Sequence, residues 1–190
     1  MAFTQRSDQT RTAILTAARR RFAADGFERA TIRAIAADAG IDPSMVMRYY
    51  GSKDGLFAAA TDIDLMAPDL GAVPRDQVGQ TLVRHFVERW EGSLSDEMLI
   101  VLFRSSVTND IAAERMRTVF GVQVAGALAP VVADPAELPA RAGLVSTQLL
   151  GVALCRYILC LPPLTGLGAD ALIANIGPTV QRYLTEPLPR

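Results

Sequence analysis

Residues 31–53 read TIRAIAADAGIDPSMVMRYYGSK, and this stretch restricts the fold more than any other. Asp42-Pro43 joins a side-chain acceptor to a residue without an N–H, the pair that opens a helix. Thr31 is a second cap of the same kind. Gly40 falls where a tight turn needs a positive φ. The spacing predicts two short helices, one from Thr31 to Ala39 and one from Pro43 to Tyr50, joined at Gly40. Ala36 is small enough for two backbones to cross closely, and Val46, with Ile35 and Ile41, pins the second helix to the first. The same spacing also suits an αα-hairpin in an ordinary bundle.

The outward face of the second helix favours DNA. With Val46 inward, Ser44, Met45, Arg48 and Tyr49 are left to solvent or to a partner. Arg48 is suited to the O6 and N7 atoms of guanine, Met45 to a thymine methyl, and Ser44 and Tyr49 to phosphates or base edges. The chain has one lysine, Lys53, placed just after Ser52 at the start of a further helix. Backbone N–H groups there attract a phosphate and an ammonium strengthens the site; a solvated surface lysine is the alternative. Arg33 and the Thr31 hydroxyl are further candidate contacts. Arg19, Arg20 and Arg21 are consecutive and fan around the first helix, so they cannot all face one partner.

Every long periodic segment reads as helix, with no strand alternation. The first runs from Arg11 to Asp25 and ends at Gly26; the fourth is capped by Ser52 and runs to Met66. APDLGAVPRD, residues 67–76, is the clearest loop. Helices follow over residues 77–92, 96–107, 110–132, 139–161 and 169–184, with breaks at Ser95, Asn109 and Asp134-Pro135. Loops are expected at Leu161-Pro162-Pro163 and Gly166–Gly168, and Pro178 should kink the last helix. Half of the 190 residues are apolar, enough for a sizeable core in one or two small domains.

Net charge is −1, but residues 1–55 carry nine basic against six acidic groups, and residues 56–190 ten against fourteen. A basic head on an acidic body steers one end toward a polyanion. MAFTQRSDQTRT lacks the apolar core of a secretory signal. The best membrane candidate, Ala142–Leu161, is interrupted by Arg156, Ser146, Thr147 and Gln148. Cys155 and Cys160 lie too far apart around a helix for a disulfide and read as buried thiols in a reducing cytoplasm. The one histidine, His85, has no partner motif for metal or triad chemistry, and no phosphate-cradling glycine loop appears. Neither an enzyme nor a bound metal or cofactor is expected.

Three patterns then occur in order: A-x-x-x-F-x-x-x-G-F from Ala18, T-x-x-x-I-A-x-x-A-G from Thr31, and Y-Y-x-S-K-x-x-L from Tyr49. With them, residues 10–60, just over a quarter of the chain, resemble the N-terminal DNA-binding domain of the TetR family of transcriptional regulators. The resemblance implies an all-α protein. Residues 1–55 would form a three-helix helix-turn-helix domain, and residues 56–190 a helical effector-binding and dimerisation domain. It implies a major-groove role for the helix holding Ser44, Met45, Met47, Arg48 and Tyr49, with Lys53, Thr31 and Arg33 beside it, and core roles for Phe22, Phe27, Tyr50 and Phe57. Met47 departs from the family's usual tyrosine. Either Tyr49 and Lys53 take more of the phosphate role, or the operator preference differs.

Similar regulators are homodimers through their last two helices and release an operator on binding a small molecule. Residues 139–161 are apolar nearly all round, which independently requires burial on more than one side; residues 169–184 show one stripe, Leu172, Ile176, Val180, Tyr183 and Leu184. Candidate effector contacts are Phe86, Trp90, Phe103, Phe120, Gln148, Arg156 and Tyr157, with Met66, Met116, His85, Arg104 and Gln123 nearby in the pattern. Aromatic residues at such spacing equally serve as plain core. Arg156, if buried, needs a carboxylate from a ligand or from the chain. A helical DNA-binding or interaction dimer with no effector is the alternative function.

Overall fold

The computed structural model describes residues 2–92 and 96–188, with side chains from Ser7 onward; the break expected at Ser95 lies outside them. Every regular element among the described residues is helical. Helix α1, Ala2–Arg29, starts well before Arg11 and is broken at Gly26 (φ 75, ψ 172), with one turn beyond. Helices α2 (Ile32–Ala39) and α3 (Pro43–Tyr50) take the expected spans. Helix α4 (Lys53–Ala60) stops short of Met66. There the Thr61 hydroxyl donates to the Phe57 carbonyl at 2.7 Å, Asp64 accepts from the Met66 N–H at 2.8 Å, and Pro68 disfavours helical backbone before it.

A short 3-10 turn, Leu70–Ala72, precedes α5 (Val78–Glu91), α6 (Glu97–Ser105) and α7 (Asp110–Thr118). The expected helix 110–132 is in pieces: α7, a π-helical segment Val119–Val124, and α8 (Ala125–Leu128). Helix α9 (Leu138–Ala153) runs into a second π-helical segment, Leu154–Ile158. A one-turn helix α10 (Pro162–Thr165) occupies the expected loop, and α11 (Ala169–Thr185) continues through Pro178.

The chain divides into two compact units, Met1–Ile63 with Glu97–Met116, and Asp64–Asp96 with Arg117–Arg190. In the first, α1 packs on α2, α4 and α6. Phe57 meets Phe22 and Phe27 edge-on, at centroid distances of 5.0 and 4.8 Å. Burying each such ring contributes about 1.5–3 kcal/mol. Tyr50, expected in this core, is only half-buried because its hydroxyl reaches out to the Arg11 carbonyl at 3.4 Å.

In the second unit α5 lies against α11. Gly79 permits the approach: a Cβ there would stand 2.4 Å from the backbone nitrogen of Gln181. The Gln181 side chain then caps α5 from outside it, accepting from the Gly79 N–H at 2.8 Å and donating to the Arg75 carbonyl at 2.7 Å. Arg141 is buried and fastens α9 to the end of α11. It pairs with Glu137 at 2.7 Å and donates to the carbonyls of Tyr183 and Glu186. Length and composition alone would let Pro135–Ile158 cross a membrane, contrary to the expectation from its interruptions. The thiols also differ from expectation. Cys155 is half-buried and Cys160 exposed, because Cys160 is the left-handed residue (φ 50) that ends the helix, with Leu161 N–H bonded to the Cys155 carbonyl.

Gly79→Ala should therefore destabilise the protein by about 3 kcal/mol, since backbone and not a flexible side chain must yield. Urea unfolding followed by circular dichroism measures it.

Candidate nucleic-acid interface and aromatic cluster

The helix-turn-helix is assembled from local bonds. Thr31 Oγ1 accepts from the Ala34 N–H at 3.2 Å and opens α2. Gly40 closes it in the left-handed region (φ 66, ψ 30), where its N–H and that of Ile41 satisfy the carbonyls of Ala37 and Ala36. Asp42 accepts from the Ser44 N–H at 2.8 Å with Pro43 in the first helical position, and so α3 begins. The Ser44 side chain first, and then its N–H, hold the Asp42 carboxyl below the usual carboxylate range. Ser52 Oγ caps α4 through the Gly55 N–H at 2.9 Å.

Val46, Ile35 and Ala36 are fully buried, and Ile41 is half-buried. That orientation leaves Ser44, Met47 and Arg48 exposed and Met45 and Tyr49 half-buried. Thr31 and Arg33 are exposed on α2. Lys53 is less free than the sequence suggests. Its ammonium donates to the Glu28 carbonyl at 3.1 Å and sits 4.4 Å from the centroid of the Phe27 ring. Two of the three consecutive arginines are engaged within the unit. Arg19 donates to the Ala60 carbonyl at 3.1 Å, and Arg21 pairs with Asp38 at 2.5 Å, which holds the Asp38 carboxyl low.

Sequence reasoning missed Ser7 and Arg11. Ser7 Oγ lies 3.2 Å from the Tyr49 hydroxyl, and the Arg11 guanidinium lies 5.3 Å from the Tyr49 ring centroid. Both continue the stripe of Ile14 and Ala18 backwards at helical spacing, the signal that would have extended α1.

In the second unit Trp90 and Tyr157 stack at 4.9 Å and 7°, with Phe86 5.8 Å from Trp90 and 6.3 Å from Tyr157. Phe120 packs against the core of the same unit and Gln148 is half-buried. The Tyr157 hydroxyl is buried, and among the described residues it makes no hydrogen bond of good geometry. Burial first, and then the charge of Glu91, push it up to about 12, so it is a neutral donor. Arg156 is buried and paired with Glu91 at 3.1 Å, and it also donates to the carbonyls of Leu164 and Leu167. The carboxylate that its burial requires thus comes from the chain. His85 Nε2 and Gln123 Oε1 both engage Leu65, at its carbonyl (2.8 Å) and its N–H (2.7 Å). Phe103 and Met116 belong to the first unit, and Met66 and Arg104 are exposed.

Residues 14–60 match the model of bacterial regulatory proteins of the tetR family, and residues 76–184 match that of the tetracyclin repressor-like C-terminal domain. A TetR-family regulator from Streptomyces coelicolor A3 is similar at 31% identity over 93% of this chain and 95% of its own, with a TM-score of 0.63. Two Rhodococcus structures share the fold alone. One, described as a TetR-family transcriptional regulator, is 12% identical over 94% of this chain and all of its own, with a TM-score of 0.68. The other, a transcriptional regulator from strain Rha1, is 21% identical over 94% and 99%, with a TM-score of 0.66. No curated protein matches the chain.

An unpaired buried hydroxyl costs stability, so Tyr157→Phe should stabilise the protein by about 1 kcal/mol, read as a raised melting temperature. The pKa values of Asp38 and Asp42 are lowered, so their stabilisation is complete above the ordinary carboxylate value, about pH 4, and is lost as pH falls further. The double variant Asp38→Asn/Asp42→Asn keeps a capping residue at 42 and should lose stability less steeply on acidification, as followed by helical circular dichroism.

Proposed function

The chain belongs to the tetR family of bacterial regulatory proteins and is a DNA-binding transcriptional regulator, and we propose that it represses transcription as a homodimer on a near-palindromic operator in the cytoplasm. The observation that carries this is α3: Val46 is buried, while Arg48 stands exposed with no partner among the described residues. Residues 1–55 act as the reading head, with Ser44, Met45, Arg48 and Tyr49 toward the major groove. Thr31, Arg33, Met47 and Lys53 flank it. Lys53, steadied by Phe27 and Glu28, has two N–H donors left for a phosphate.

Residues 56–190 act as the effector and dimerisation body. Leu144, Leu154, Leu159 and Leu161 expose an apolar face along and beyond α9, which a second copy covers through the last two helices. A dimer places two reading helices on half-sites about 34–36 Å apart. The effector is a small apolar molecule with a hydrogen-bond acceptor, held at Phe86, Trp90, Phe120 and Tyr157, where the buried hydroxyl lacks a hydrogen-bond partner among the described residues. Gln148 completes the candidate set within the second unit; Phe103, in the first unit, is left out of it. Arg156 shapes this site through its bond to Glu91 rather than by binding a charge on the effector. Switching most of a population from bound to free needs roughly 5 kcal/mol of differential affinity.

Fluorescence-anisotropy titration against DNA flanking the protein's own gene tests the reading. Saturable, salt-sensitive, sequence-selective binding at one dimer per site is expected, and binding with no preference in that DNA or in a selection from random duplexes would overturn it. Arg48→Ala should cost about 1–3 kcal/mol on the preferred duplex and little on a random one. A compound that raises the melting temperature and releases DNA should do neither in Tyr157→Phe.

A further inference from the structure

Arg11 enters the contacts above only through the Tyr49 ring and its own backbone carbonyl. Arg11 is exposed on α1, and none of its side-chain N–H groups meets an acceptor among the described residues. Its guanidinium lies 5.3 Å from the centroid of the Tyr49 ring on α3. That ring is held elsewhere too: its hydroxyl lies 3.2 Å from Ser7 Oγ, and the next residue, Tyr50, donates from its hydroxyl to the Arg11 carbonyl at 3.4 Å. The start of α1 and the end of α3 are therefore joined at three points.

A guanidinium resting on an aromatic ring keeps its N–H donors at its edge, free for a planar anion. Met47 and Lys53 cannot do the same. Met47 is 44% exposed and has no hydrogen-bond donor, and Lys53 already spends one donor on Glu28. An arginine held over a ring with unspent donors fits a phosphate bidentately.

We propose that Arg11, seated on Tyr49, is a phosphate-binding residue of the DNA interface and supplies the backbone anchor that Met47 cannot. The proposal rests on α3 being the reading helix. A phosphate contact fixes position without reading sequence, so Arg11 contributes equally on any duplex, whereas Arg48 contributes only on the preferred one.

The test is a salt series of anisotropy titrations on two duplexes, one of random sequence and one that the wild-type protein enriches from a random pool. Arg11→Ala should weaken binding to both about tenfold and flatten the slope of log affinity against log salt by about 0.9 per subunit. Arg11→Lys keeps the charge without the planar fork, so it should retain the slope and recover part of the affinity. Arg84→Ala removes an exposed guanidinium of α5 in the second unit, outside the last two helices, and should change neither. An unchanged slope in Arg11→Ala would overturn the proposal: with weaker binding, Arg11 only braces Tyr49. Failure of the underlying reading looks different. The wild type would then show no preferred duplex, and Arg48→Ala would weaken neither one selectively.

Discussion

The burial of Val46 is the constraint on which the reading surface depends. With that one side chain fully enclosed between α2 and α3, the rotation of α3 about its axis is fixed, and so is the set of residues left outside. The caps serve the same end. Asp42 and Ser52 bind helix N–H groups that would otherwise need water, and they set where α3 and α4 begin. Residues that touch no partner thereby decide which residues can.

The second unit is organised around buried charge. Arg141 and Arg156 lie along one apolar helix and its π-helical extension, and each is matched by a carboxylate and by backbone carbonyls. Removing one member of such a set leaves an uncompensated ion, which is far more costly than the set is stabilising. These arginines specify where α9 must lie against α5 and α11 more than they add to the stability of the fold.

What was legible in the sequence was what short-range chemistry determines. Thr31, Gly40 and Asp42-Pro43 gave α2 and α3 their bounds, and the outward set on α3 followed from Val46. The ends set by distant partners were not legible. Helix α4 gives way to a stretch in which the Leu65 N–H and carbonyl go to Gln123 and His85, and the π-helical segments interrupt patterns that look continuous. The interface was half-read: Arg48 and Tyr49 stand in the local pattern, but Ser7 and Arg11 reach Tyr49 only through the fold, from a helix that begins earlier than its apolar residues suggest. Arg156 was seen to need a carboxylate, and only the tertiary structure could say that Glu91 provides it.

The grip on Leu65 has a consequence for how the second unit receives its own chain. Both polar groups of that residue, in a stretch with no regular structure, are held by side chains: His85 at the carbonyl and Gln123 at the N–H. Arg89 adds a bond to the Asp64 carbonyl at 3.1 Å. His85 and Arg89 alternate along α5 with Phe86 and Trp90, so one rigid rod carries the aromatic cluster and the fastening of the strap. The strap has little conformational freedom left to absorb a displacement. A shift or rotation of α5 is passed to residues 64 and 65 as movement rather than lost as slack.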